Sequence, residues 1–284
     1  MAIRFAVAVL SCLAPLCAQE AEEASPKKEP PPREIARQAA KELKVVAKDG
    51  DVEQIRTALR ELGLIDDTDV VRTVGKLIDD EREDVRWAAI RTLRYNPNPK
   101  AGSELIAAAK DKAIQASEPL YAEVLRGIGQ HADPRALALL AEGFGPKKEP
   151  LEINEARIDA VGRIRTSDAV DTLIKYARSG FAKDRDARIC TALKGLTGED
   201  HGDEMRPWVL WWNRAKLGYR FPENPPAGPA AWTRLWETPT PERMFDRGSS
   251  IYGGPPTTGE GRGRGGRGGG GDAGGGRGGG GSGS

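Results

Sequence analysis

The sequence predicts an all-α protein, an α-solenoid of antiparallel helix pairs with disordered N- and C-terminal extensions, on three observations. A five-residue pattern recurs: Ala58-Leu-Arg-Glu-Leu62, Ala89-Ile-Arg-Thr-Leu93, Val124-Leu-Arg-Gly-Ile128, Ala160-Val-Gly-Arg-Ile164 and Ala192-Leu-Lys-Gly-Leu196. Its copies start 31, 35, 36 and 32 residues apart, the period of a helix pair that buries its apolar face on the next pair. After a turn, each copy is followed by a second segment with helical apolar spacing: VVRTVGKLI, SELIAAA, ALALLAEGF, AVDTLIKYA and WVLWWNRA. No stretch shows the sustained alternation of β-branched residues that marks a strand.

The first element is a leader that does not belong to the array. In MAIRFAVAVLSCLAPLCAQE, Arg4 supplies a positive charge, Phe5 to Leu16 an apolar run, and Ala18 a small residue before Gln19. This is the anatomy of a secretory signal peptide over residues 1–18, and the run is too short to span a bilayer comfortably. The expectation is an exported chain, periplasmic or extracellular in a bacterial envelope, with no membrane span after cleavage. Cleavage removes Arg4, Cys12 and Cys17, which leaves 42 basic against 42 acidic residues and a single cysteine, Cys190. An intramolecular disulfide is then impossible and packing alone must hold the fold. The balanced charge lacks the excess of a dedicated nucleic-acid binder.

Residues 19–33 mix charge with proline and carry no large apolar side chain, so they are predicted to be disordered. Residues 34–217 hold almost all of the apolar periodicity and form the domain. Asn98-Pro99 and Asp133-Pro134 place a capping acceptor before a proline at the first helical position, and Ser167-Asp168 is expected to cap in the same way. Thr197-Gly198 ends the fifth motif helix, and Glu199 to Glu204 form an acidic turn. Trp208, Trp211 and Trp212 then fall at i, i+3 and i+4 on one helical face. A last repeat has no successor to cover it, so these three tryptophans are read as a structural cap. The Pro/Trp-rich residues 218–252 include Trp232 and Trp236, which can share one face of a short helix and either dock on that last repeat, the preferred reading, or serve as an exposed partner-binding peptide. Residues 253–284 contain 19 of the 35 glycines and are predicted to be a flexible coil.

Few residues are equipped for catalysis. His201 stands with Asp200, Asp203 and Glu204, but the usual metal-ligand spacings are missing, and acids before a helix are expected from its dipole. Cys190 lies on the apolar side of a motif helix, with no histidine nearby in sequence to activate it. No phosphate loop, G-x-S-x-G elbow or H-E-x-x-H helix occurs. The reading is therefore a non-enzymatic chain with no cofactor and no metal.

Recognition chemistry is better supplied. The third motif position is basic in four copies (Arg60, Arg91, Arg126 and Lys194), and in the remaining copy Gly162 is followed by Arg163. Stacked helices would set these five in a row able to meet an acidic protein partner; the bland reading pairs them with acids of neighbouring repeats. In the tail, Arg262, Arg264 and Arg267 of GRGRGGRGG resemble the RGG segments that bind RNA and other polyanions, although no aromatic residue interleaves them.

Asp84-Val-Arg86-Trp-Ala-Ala-Ile-Arg-Thr-Leu93 and Asp186-Ala-Arg188-Ile-Cys-Thr-Ala-Leu193, with Asp133-Pro-Arg135 opening another helix, resemble HEAT repeats of the short bacterial, PBS-lyase-like type. The likeness covers about residues 50 to 216. It implies that the Val-Arg helix is the second of each pair, and that an upstream acid joins its arginine, here Asp80 with Arg86. It further implies a monomeric scaffold for protein–protein interaction through the solenoid surface. Two alternatives remain open: nucleic-acid or polyanion binding through the basic row and tail, and an enzyme or enzyme accessory of lyase-like HEAT type.

Overall fold

The computed structural model describes residues 32–146, 149–182, 184–222 and 230–246, and their regular structure is entirely helical. The expected signal peptide, residues 19–31 of the leader, and the glycine-rich tail with Arg262, Arg264 and Arg267 lie outside the described residues. Contacts divide the chain into two compact units, one ending at Ile164 and the other beginning at Arg165.

The first unit contains nine α-helices among its described residues: α1 (Pro32–Asp49), α2 (Val52–Leu62), α3 (Thr68–Gly75), α4 (Glu83–Tyr95), α5 (Pro99–Ala108), α6 (Lys112–Ala116), α7 (Glu118–His131), α8 (Leu137–Ala141) and α9 (Leu151–Val161). They stack in two layers. Helices α1, α3 and α5 follow one another in one layer, and α2, α4, α7 and α9 in the other. The motif copies on α2, α4, α7 and α9 thus occupy the second helix of each pair. Their leading residues Ala58, Ala89, Val124 and Ala160 are all buried, as are Leu93, Ile128 and Ile164.

Local chemistry sets the boundaries. Asp51 and Gln54 make a reciprocal capping box at the start of α2, which satisfies two orphan backbone donors. Asp67, Asn98, Asp111 and Asp133 each accept from backbone N–H groups of the turn that follows. Pro32 opens α1 two residues earlier than the expected domain start, because proline suits the first helical turn. Ser167 does not cap: it is the first residue of the next helix, and Thr166 Oγ1 accepts from the Ala169 N–H instead.

Side chains also tie successive repeats together at the motif period. Arg82 donates to the Gly50 carbonyl, Asn96 to those of Gly63 and Ile65, and Asn98 to Asp66. Buried amide and guanidinium donors must find acceptors, and a repeat of constant pitch offers the same acceptor at each step.

The second unit contains α10 (Ser167–Arg178), α11 (Asp186–Thr197), α12 (Met205–Ala215) and the short α13 (Ala230–Trp236). Gly198, at φ 79°, ends α11 in the left-handed conformation that glycine adopts without a Cβ penalty. Helix α11 packs against α10, α12 and α13. No described helix in either unit is long and apolar enough to cross a membrane.

Candidate functional site

All five members of the predicted basic row are half-buried: Arg60, Arg91, Arg126, Arg163 and Lys194. In the first unit, two of them converge on one carboxylate. Glu123 of α7 is 2% exposed, and its Oε1 accepts from Arg91 Nη1 at 3.1 Å and Arg94 Nη1 at 2.9 Å, both from α4. Arg126, one turn on from Glu123, lies 4.0 Å from its other oxygen and 3.1 Å from Glu152 of α9. Burial alone would push the Glu123 carboxyl up. The guanidiniums of Arg94, Arg91 and Arg126 outweigh that penalty and hold it below the usual carboxylate range. Burial would likewise lower Arg94, and the Glu123 charge more than restores it.

The consequence is an ion ladder running from α4 through α7 to α9. An acidic partner seeking Arg91 or Arg126 must compete with carboxylates already at contact distance. Arg157 of α9 adds a second buried knot. It holds Glu149 through two nitrogens at 2.7 and 2.9 Å, donates to the Tyr121 hydroxyl at 2.7 Å, and donates to the Leu139 and Leu140 carbonyls.

The pairing implied for Asp80 and Arg86 takes a different form. Arg82 captures the Asp80 carboxylate with two nitrogens, each at 2.8 Å, and Arg86 acts on it only through space. Arg82 lies two residues from Asp80, so its fork closes locally before a more distant arginine can align.

In the second unit, Lys194 is held by Asp200 and Asp203 of the acidic turn, each at 3.1 Å. Both carboxylates are largely exposed, so these pairs are worth little individually; they fold the turn back onto α11. His201 does not stand among ligands. Its ring lies 4.9 Å from that of Trp208 and 4.8 Å from that of Trp211. Among the described residues, no three His, Cys, Asp or Glu side chains are grouped to hold a metal ion.

The aromatic cap assembles within this unit. Trp208 and Trp212 are buried, Trp211 is half-buried, and Tyr219 lies edge-on to both Trp211 and Trp212. The indole N–H groups find acceptors: Trp208 donates to the Gly202 carbonyl and Trp212 to Asp171. Trp232 and Trp236 of α13 are buried too, 5.6 Å apart. A Cβ added to Gly195 would sit 2.1 Å from Trp232 Nε1, so the glycine of the fifth motif copy is what lets this indole lie on α11.

Cys190 is fully buried, with its Sγ 3.6 Å from Met205 Sδ. Burial, with the nearby charges of Asp186 and Asp203, pushes its thiol up to about 12. A thiol in that state is neither a nucleophile nor a metal ligand at neutral pH. We expect Cys190 in the native chain to resist iodoacetamide and to react at ordinary thiol rates only after denaturation. Fast labelling of the folded protein, followed by mass spectrometry, would contradict this packing role.

Sequence reasoning passed over Glu123, Arg94 and Arg157. The available signal was a carboxylate in the apolar run Leu120-Tyr-Ala-Glu-Val-Leu125, where only a paired charge can be buried. Residues 39–118, from within α1 to the start of α7, match the family model described as HEAT repeats. No curated protein matches the chain.

Proposed function

We propose that this chain, a HEAT-repeat protein, is an exported, non-enzymatic scaffold that binds other proteins through the surface of its helical stack. One observation carries the reading: among the described residues, the cysteine and both histidines are engaged in packing. Cys190 is buried against Met205, His201 lies between tryptophans, and His131 bonds the Leu93 carbonyl at 2.8 Å while burial lowers its pKa. Stacked repeats of this kind present an extended surface to a partner. Export is supported by the charge, apolar run and small residue of positions 1–18.

The test is crosslinking of the full chain in its native cell, with partners read by mass spectrometry. A reproducible set of extracytoplasmic proteins is expected, together with a mature N-terminus near Gln19. Recovery of nucleic acid as the main crosslinked species would overturn the scaffold reading. Intact Met1 in the cytoplasmic fraction would overturn export.

A further inference from the structure

Helix α1 is the first of its layer, and its two faces differ. Ala36, Ala39, Ala40 and Leu43 form the buried stripe. At 100° per residue, Gln38, Glu42 and Val45 fall on the opposite side. There, α1 and α2 bound an open groove of about 670 Å³, whose apolar lining comes from Val45 and Val46 of α1 and from Ala58 and Leu62 of α2. Val45 is 62% exposed, and Ile35, on the same face of α1, is 41% exposed. These are two of the six large hydrophobic residues left exposed among the described residues. Of these two, Val45 lines the groove, where it joins half-buried Val46 and Leu62 in one apolar strip open to solvent, and such a strip, unlike a singly scattered side chain, marks an interaction site.

The rim carries the second observation. Four carboxylates line the groove, Glu42, Asp51, Glu53 and Glu61, against one lysine, Lys41. Asp51 caps α2 and Glu53 is paired with Arg56. Glu42 accepts only a neutral amide from Gln38, and no ion pair reaches Glu42 or Glu61 among the described residues. The groove is therefore apolar on its floor and negative on its rim.

We propose that this groove receives a basic amphipathic helix of a partner protein, with apolar residues at i, i+3 and i+4 on the floor and lysines or arginines against Glu42 and Glu61. This rests on the scaffold reading and names the partner's chemistry. The lining of α1 from Gln38 to Val46 runs about 12 Å, the rise of roughly two helical turns. A second copy of this chain fits worse, because placing groove on groove sets Glu42 and Glu61 against like charges.

The probe is a display library of short amphipathic helices with a fixed apolar stripe and flanks drawn equally from lysine, glutamate and serine, panned on the full chain. Lysine-flanked helices are expected to dominate the selected pool. Their affinity should fall by at least about tenfold in Glu42→Lys/Glu61→Lys and in Val45→Asp, and should weaken as salt is raised. All three positions are solvent-facing, and unchanged thermal unfolding of each variant confirms that the fold survives.

Selection without charge preference overturns the proposal, as does binding that persists in the variants. Dimerisation of the purified chain that Val45→Asp abolishes makes a second copy the occupant. Binding seen only after deletion of residues 19–31 assigns the groove to the chain's own leader. If crosslinking recovers the same partners with wild type and with Glu42→Lys/Glu61→Lys, the scaffold reading stands and the groove falls.

Discussion

Glu123→Ala is expected to destabilise the first unit by about 3–5 kcal/mol, the cost of leaving a buried charge uncompensated. The substitution takes from Arg94, which is 2% exposed, the carboxylate it bonds at 2.9 Å, and it removes the inner acceptor of Arg91. Arg126 keeps Glu152. Urea unfolding with hydrogen exchange on the amides of α4, α7 and α9 reads the loss. A change below about 1 kcal/mol would mean that water reaches the ladder and screens it. The double variant Arg94→Met/Glu123→Leu should regain most of the loss, since removing both charges also removes their desolvation cost.

The pH dependence follows from the same group. The folded Glu123 pKa lies below its ordinary value of 4.5. Its contribution is fully present above that value and is lost as pH falls through the folded pKa. His131 acts earlier. Its folded pKa is lowered by burial from 6.5, so the unfolded chain binds the proton first and stability begins to decline below about pH 6.5.

Trp212→Ala is the second large effect, expected at about 3–5 kcal/mol within the second unit. The side chain is 2% exposed, packs on Trp211 and Tyr219, and donates to Asp171 Oδ1 at 2.7 Å. Its removal leaves a cavity that neighbouring rings cannot close, because Trp208 and Tyr219 are themselves fixed by bonds to Gly202 and Thr197. Trp212→Phe separates packing from hydrogen bonding. It keeps most of the apolar volume, and Asp171 keeps Lys216, so a loss of only about 1–2 kcal/mol is expected. Equal losses in the two variants, by hydrogen exchange in α10 and α12, would show that the indole N–H rather than the ring volume holds the site.

Much of the fold was legible because burial in a helix follows its period. The motif spacing located α2, α4, α7, α9 and α11, and the three tryptophans located the buried face of α12. Capping was legible where a short acceptor preceded a proline, as at Asn98 and Asp133, and misplaced by one residue at Thr166, where two hydroxyl-bearing residues are adjacent. The compact unit boundary at Ile164 crosses the expected 34–217 domain without any break in composition. The basic row was legible as positions only. Nothing near Arg91 in the chain announces that its acid lies 32 residues away on α7.

By itself, then, the sequence determined the helical class, the repeat period and which apolar positions face inward, because these depend on spacing along one chain segment. Tertiary structure alone decided where the charges went. It turned Arg91 and Arg126 toward Glu123, drew Asp200 and Asp203 to Lys194, laid Trp232 on Gly195, and left Glu42 and Glu61 beside an uncovered apolar groove. The physical reason is range. Apolar burial tolerates any close neighbour, whereas an ion pair or a ring seated on a glycine requires particular atoms within a few ångströms, and only the packing of helices distant in sequence sets those separations.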